Sequence, residues 1–229
     1  MKCIILAAGE GVRMRPLTND TPKPMLKILG RAILEHILSD LPAEIGEVVL
    51  VVGYLRESII NHLGNKFGNL KITYIEQDKK MGTYKALELC KHLLKDDEKF
   101  LMLYADDLHG AEGLKECVDC GQCAMLVYEV EDPRRFGVVE IDTEGMIVGV
   151  EEKPENPKTN IVSTGVMVLD NNVFNFPPKQ HKNGEYYLAD SIGQMVKEGY
   201  KFKAITSSSW IPVGFPEDIE KAEKILTRK

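Results

Sequence analysis

Short apolar runs alternate with amphipathic stretches through the first half of the chain, in the order CIILA, ILEHILSDL, VVLVVG, SIINHL, KITYIE, YKALELCKHLL and FLMLY. Short apolar runs of this kind read as strands and the amphipathic stretches between them as helices. Strand and helix in strict alternation need a crossover after each strand, so this half is expected to build βαβ units around a parallel sheet. The second half changes character: AMLVYEV, FGVVEID, MIVGVEE and NIVSTGVMVLD come one after another without a helix between them. Part of the sheet is therefore expected to be mixed. Helices are expected next at YLADSIGQMVKEG and PEDIEKAEKIL, the latter opening on a proline with acids in its first turn, where the helix dipole favours them. There is no internal repeat or low-complexity linker, and the Pro/Asn/Lys-rich segments 154–160 and 177–184 read as rims of an active site. At 229 residues the chain is expected to form one domain, 1–229.

The bulk composition excludes several function classes. A net charge of -6 argues against a broad nucleic-acid footprint, which needs a basic face. The apolar run at Ile4 to Ala8 is too short for a membrane span or a signal-peptide core, so no membrane association and a cytoplasmic location are expected. The five cysteines are then expected to be reduced thiols. Cys117, Cys120 and Cys123 have metal-site spacing, but the fourth cysteine of a ferredoxin pattern is missing, Val127 standing at that position. A helix end running into the strand CAMLVYEV, with thiols as small apolar residues, is the expected reading.

Three segments carry groups suited to phosphate chemistry. In LAAGEGVRMRPLTNDTPKPMLKI a strand breaks into a loop with Gly9 and Gly11. Five basic residues come next (Arg13, Arg15, Lys23, Lys27, Arg31) against two acids (Glu10, Asp20), a local excess of positive charge in an acidic protein. That points to a focused anion site, with a solvated basic loop as the bland alternative. It is neither a Walker loop, lacking Gly-Lys-Ser/Thr, nor a dinucleotide fingerprint, because Met14 replaces the third glycine. In FLMLYADD an apolar strand ends in Asp106 and Asp107, carboxylates at the sheet edge where α/β folds bind ligands and where one of them can anchor Mg²⁺, or else simple turn formers. In VEEKPENP, Glu152 and Lys153 precede a strand-stopping proline, a pair able to hold a sugar phosphate and its hydroxyls, or an exposed charged turn. The histidines His36, His62, His92, His109 and His181 have no ligand spacing.

Taken in order, the loop from Leu6 to Lys27, EQDKKMGTYKAL, YADD, EDPRRFGVVEID, VEEKP, STGVMVL, GEYYLADSI and WIPVGFPEDIEKA resemble the sugar nucleotidylyltransferases over nearly the whole chain. That group includes glucose-1-phosphate thymidylyltransferases and hexosamine- or muramate-1-phosphate uridylyltransferases. The resemblance implies a Rossmann-like three-layer α/β nucleotidyltransferase fold with a mixed, mostly parallel central sheet, as a bare catalytic domain without the C-terminal β-helix. It implies transfer of a nucleoside monophosphate from an NTP, UTP or dTTP foremost, to a sugar 1-phosphate, with Mg²⁺ as cofactor and no covalent protein intermediate. It implies a nucleotide site at Leu6, Ala7, Ala8, Gly9, Gly11, Arg13, Lys23, Gln77, Gly82 and Thr83. The sugar-phosphate side would comprise Gly137, Glu152, Lys153 and Thr164. Arg13, Lys23, Asp106 and Lys153 would be the catalytic groups, with Asp106 on the metal. A homo-oligomer is compatible with it.

The chain departs from the family pattern where an Asp usually stands two residues after the late Trp: here it is Pro212. Mg²⁺ then rests on Asp106 and phosphates, or recruits Asp107, Glu217 or Asp218. Val12 replaces a usual Thr, and Asn183, beside Lys182, stands where some members carry an Arg. Two other readings compete: a non-catalytic sugar-nucleotide binding module, and a cytidylyltransferase for phosphocholine or another alcohol phosphate. The latter is disfavoured because a choline pocket needs an aromatic cage, and aromatics are 7% of the chain.

Overall fold

The computed structural model describes residues 1–96 and 98–227. Its elements are β1 (Lys2–Ala7), the short pair β2 (Lys27–Ile28) and β3 (Arg31–Ala32), α1 (Ile33–Asp40), β4 (Glu47–Val52), α2 (Arg56–Leu63), β5 (Lys66–Phe67), β6 (Leu70–Glu76), α3 (Thr83–Glu88) and β7 (Phe100–Tyr104). The second half adds β8 (Asp107–Leu108), α4 (Ala111–Asp119), β9 (Ala124–Glu129), β10 (Gly137–Ile141), β11 (Ile147–Glu152), β12 (Ile161–Leu169), α5 (Leu188–Lys197), β13 (Lys203–Thr206), β14 (Ile211–Pro212) and α6 (Glu217–Leu226). The main sheet runs β11-β10-β12-β7-β1-β4-β6-β5, with β9 on β12 and β13 on β9.

β7, β1, β4 and β6 pair in parallel, the βαβ half expected from the alternating runs. β12 turns antiparallel against β7, and β9, β10 and β11 continue the mixed half. The continuous apolar runs are explained by burial on both faces. In β1, Cys3, Ile5 and Ala7 point into a core covered by α1, α2, α4 and α6, while Ile4 points into a second core covered by α3 and α5. Each such aliphatic side chain taken fully out of water stabilises the fold by about 1.5–3 kcal/mol. No helix among the described residues is long and apolar enough to cross a membrane.

Two local readings meet the structure differently. YKALELCKHLL, a single amphipathic stretch by pattern, winds as α3 and then as a separate 3₁₀ turn at Lys91–Leu93. The tighter winding lines up Leu87, Cys90 and Leu93 at three-residue spacing against the second core. Cys117 is buried on α4, Cys120 caps that helix, and Cys123 lies just before β9 beside Asp170. Burial pushes the Cys117 and Cys123 thiols up to about 12, as befits packed thiols, and all five cysteines are free.

Where β12 crosses β7, Gly165 has φ +86°, and a Cβ built there would lie 2.4 Å from the Tyr104 ring. Gly165→Ala combines a strained backbone with an overlap against the half-buried Tyr104 ring, so it is expected to cost about 2–4 kcal/mol of stability. Urea denaturation monitored by the emission of Trp210, the one tryptophan, measures this. A loss below about 1 kcal/mol would contradict the packing account.

Candidate functional site

In the parallel half the first strand, β1, lies between β4 and β7, so the crossovers leave it in opposite directions and a crevice opens beyond the carboxyl ends of β1 and β7. The glycine loop leaves β1 at this point, and Asp106 and Asp107 come directly after β7. The loop is folded by its own polar groups, Thr18 Oγ1 donating to the Gly11 carbonyl at 2.8 Å. Lys23, held in a 3₁₀ turn with Pro22 and Pro24 beside it, runs close under Gly11. Its ammonium, 9% exposed, reaches the Asp106 carboxylate at 2.8 Å.

Above this pair lies a cavity of about 1050 Å³. Its walls gather every residue singled out for the site. Leu6, Ala7, Ala8, Gly9, Gly11, Arg13 and Lys23 come from β1 and its loop, and Gln77, Gly82 and Thr83 from the β6–α3 connection. Asp106 comes from the β7 end, and Gly137, Glu152, Lys153 and Thr164 from β10, β11 and β12. A Cβ at Gly9 would meet no atom within 4 Å, so protein packing leaves that position open. Gly82, by contrast, has φ +89°, and a Cβ there would lie 2.5 Å from the Tyr186 carbonyl oxygen: the 177–187 loop presses on the start of α3. Thr83 Oγ1 accepts the Leu188 N–H at 2.9 Å, tying the same two segments together.

The two adjacent aspartates are placed in different environments. Burial works against the charge on Asp106, but Lys23, by charge and hydrogen bond, and Arg13 outweigh it and hold the carboxyl below its usual range. Asp107 turns away to accept the Trp210 indole N–H at 3.2 Å and the Val213 N–H at 3.0 Å. Burial, and Asp106 beside it, push its pKa up to about 7. Asp218 accepts the Gly214 and Phe215 N–H groups through one oxygen and Lys221 through the other. Both alternative metal ligands are thus occupied in turns, while Glu217 only lines the cavity. No group of three or more His, Cys, Asp or Glu poised for a metal occurs among the described residues.

Lys153 pairs with Glu152 at 2.8 Å and lies 4.8 Å from the Tyr187 ring centre. Burial opposes its charge, yet Glu152, Tyr187 and Glu185 raise its pKa above the ordinary value. Thr164 borders the cavity with its hydroxyl committed to the Leu126 carbonyl at 3.1 Å. The basic excess of the first loop does not converge as its sequence suggests. Arg15 faces Glu10, and Lys27 and Arg31 sit exposed on the β2–β3 hairpin, Arg31 bonded to Glu35 and Ser39, so that only Arg13 and Lys23 line the cavity. Lys182 and Asn183 are not among the lining residues, Asn183 bonding Glu185 and the Tyr187 hydroxyl instead. His109 is buried, which lowers its pKa to about 4 and keeps the ring neutral.

Sequence reading missed Lys80, Arg135, Tyr187, Phe215 and Lys221 on the cavity wall. Their signal lay in the motif strings that contain them, but nothing in the spacing brings Arg135 toward Phe215. Both Arg13 and Arg135 stack on that ring, 5.3 and 5.4 Å from its centre.

A family profile described as Nucleotidyl transferase matches residues 2–229. The bifunctional protein GlmU of Methanocaldococcus jannaschii is 37% identical over 232 residues, the whole of this chain and 55% of that protein. The chain thus spans about half the length of that relative. The UTP–glucose-1-phosphate uridylyltransferase AglF of Haloferax volcanii is 35% identical over 239 residues, covering 99% of this chain and 96% of AglF. Among solved structures, a Bacillus anthracis protein assigned as a glucose-1-phosphate thymidylyltransferase, in complex with sucrose, superposes with a TM-score of 0.86 at 27% identity, over 98% of this chain and 94% of that one. A UDP-glucose pyrophosphorylase complexed with UDP-glucose shares the fold, with a TM-score of 0.85 at 20% identity.

The twin aspartates give a separable test. Asp107→Ala leaves the Trp210 and Val213 N–H groups without their acceptor, so it should cost about 2 kcal/mol and alter Trp210 emission. Unchanged stability and emission in that variant would contradict a structural role for Asp107.

Proposed function

The chain belongs to the nucleotidyl transferase family, and from that membership we propose that it transfers a nucleoside monophosphate from an NTP to a sugar 1-phosphate, releasing pyrophosphate. The observation that carries the reading is the meeting of Lys23 and Asp106 at the strand-order reversal, on the floor of a cavity whose far wall presents the Glu152–Lys153 pair. One wall takes the triphosphate on the Gly9–Gly11 backbone, Arg13 and Lys23. The other takes the sugar phosphate on Lys153, with Gly137 and Glu152 beside the sugar. A sugar-phosphate oxygen then attacks the α-phosphorus in line with the departing pyrophosphate. Orientation of the two polyanions and cations aimed at the developing charge supply the rate enhancement.

The donor set fits a Mg²⁺ ion held by a single carboxylate. Asp106 opens to the cavity, and only one of its oxygens has a protein hydrogen bond among the described residues, the bond from Lys23. A magnesium ion commonly takes one or two carboxylates and completes its shell with water and phosphate oxygens, and when bound it neutralises charge on the phosphates. With Asp107 and Asp218 committed elsewhere, Pro212 leaves Asp106 as the metal's protein anchor. The Gln77 side-chain nitrogen is shielded from solvent and has no hydrogen-bond partner among the described residues. An acceptor on the base would satisfy it, and uracil and thymine offer ring carbonyls, which supports UTP or dTTP as donor.

Pyrophosphate release from a matrix of NTPs and sugar 1-phosphates, with Mg²⁺ or with chelator, tests the proposal. Turnover is expected for UTP or dTTP with a hexose 1-phosphate and is expected to be lost on chelation. Asp106→Asn should lower kcat by about 100-fold or more. Lys153→Ala should raise KM for the sugar phosphate about tenfold, with a smaller effect on kcat. Silence across the matrix, with sugar nucleotide still binding, would favour the non-catalytic module instead.

A further inference from the structure

Six cations line the cavity: Arg13, Lys23, Lys80, Arg135, Lys153 and Lys221. Four have a carboxylate partner, in the pairs Lys23–Asp106, Lys80–Glu10, Lys153–Glu152 and Lys221–Asp218. Among the described residues, Arg13 and Arg135 are the two in no ion pair, and they are the two that share the Phe215 ring. They come from distant segments, Arg13 from the 3₁₀ turn after β1 and Arg135 from the turn before β10. The ring is fixed from below, because Asp218 accepts the N–H groups of Gly214 and Phe215 at 3.0 and 2.9 Å and so holds the turn that carries it.

Two guanidiniums gathered at one aromatic ring repel each other, and the attraction of each for the ring, about 0.5–1 kcal/mol at an exposed site, is too small to make this a device for stability. The charge of Asp106 reaches Arg13 and that of Asp132 reaches Arg135, but among the described residues no carboxylate lies within ion-pair distance of either to relieve the repulsion. The arrangement is complementary to an anion carrying several charges along its length, with planar donors preset for bidentate phosphate contacts. We propose that Arg135 is a further phosphate-contacting residue, that it and Arg13 grip the β- and γ-phosphates of the nucleotide that become the leaving pyrophosphate, and that Phe215 is the positioning residue holding both guanidiniums in place.

This rests on the transferase reading for the identity of the ligand, but it is testable without turnover. Inorganic tripolyphosphate is titrated calorimetrically, in chelator, into the wild-type chain and into Arg135→Gln, Arg135→Lys, Phe215→Leu and Phe215→Tyr, with Trp210 emission confirming that each variant is folded. Arg135→Gln should weaken tripolyphosphate binding about tenfold, with Arg135→Lys between it and wild type. Phe215→Leu should weaken binding several-fold and Phe215→Tyr should restore it, a rescue that mere space-filling would not require. Single orthophosphate, too short to span both arginines, should bind all five proteins alike. Arg135→Gln binding tripolyphosphate as tightly as wild type overturns the proposal, as does a wild-type chain that does not bind it. If tripolyphosphate binds and the variants behave as stated while no NTP and sugar phosphate pair reacts, the grip stands and the transferase reading fails.

Discussion

Lys23 and Asp106, 83 residues apart in sequence, meet at 2.8 Å where the strand order of the sheet reverses, and the rest of the site is arranged around that contact. It joins the loop leaving β1 to the end of β7, closing the floor of the crevice. As a source of stability such a pair is worth little, because desolvating an ammonium that is 9% exposed offsets much of the attraction. Its value is geometric. In the proposed reaction an arriving triphosphate offers the lysine a second anionic partner while freeing the aspartate for a metal.

The neighbouring carboxylate illustrates how environment separates two like groups into different roles. Asp107 lies beside Asp106 but is spent on holding the segment just after β14. Pro212 has no N–H to give to β8, so the edge pair is minimal, two residues long, and the next N–H, that of Val213, is received by the Asp107 carboxylate instead of by a strand. The residue that removes a possible second metal ligand thus sits directly opposite the aspartate that compensates for the missing ladder bond. Asp218 is likewise engaged in the turn at Gly214, so two of the acids near the phosphate wall, Asp107 and Asp218, are spent on the backbone.

Much of this was legible in the sequence because strand ends are. Apolar runs declare strands, and residues just beyond the carboxyl ends of strands in an α/β sheet face the crevice, so the aspartates could be put at the ligand edge from their place in the chain, while it took the family resemblance to join them with the glycine loop and Glu152–Lys153 in one site. Charge counting was less informative: of the five basic residues after Gly9, Lys27 and Arg31 go to an exposed hairpin and Arg15 to Glu10, since side-chain direction depends on turns that composition does not specify. Thr164, expected to face the sugar, lines the cavity, yet its hydroxyl is given to the β9 backbone. The grouping of Arg13, Arg135 and Phe215 was illegible for a different reason. It depends on three loops from separate parts of the fold arriving at one ring, a tertiary fact with no local pattern.

That grouping also bears on how the site holds itself together without ligand. Each wall balances most of its cations with acids from the same or a facing loop, as Lys80 does with Glu10 and Lys153 with Glu152, so the cavity is not a general sink for anions. The two lining guanidiniums in no ion pair among the described residues meet at the Phe215 ring, and Arg135 ties that group to the strand pair that carries Lys153, whose N–H donates to the Phe136 carbonyl. Two polyanions entering the same cavity would repel each other, and a wall with free cations beside a wall with a neutralised one distinguishes between them. In the proposed reaction the more highly charged triphosphate gains most from the unpaired arginines, while the sugar phosphate meets a lysine already screened by Glu152 and gains its discrimination from Glu152 as a partner for hydroxyls. In the proposed reaction it is the difference between unpaired and paired cations, and not the total charge, that tells a triphosphate from a sugar phosphate.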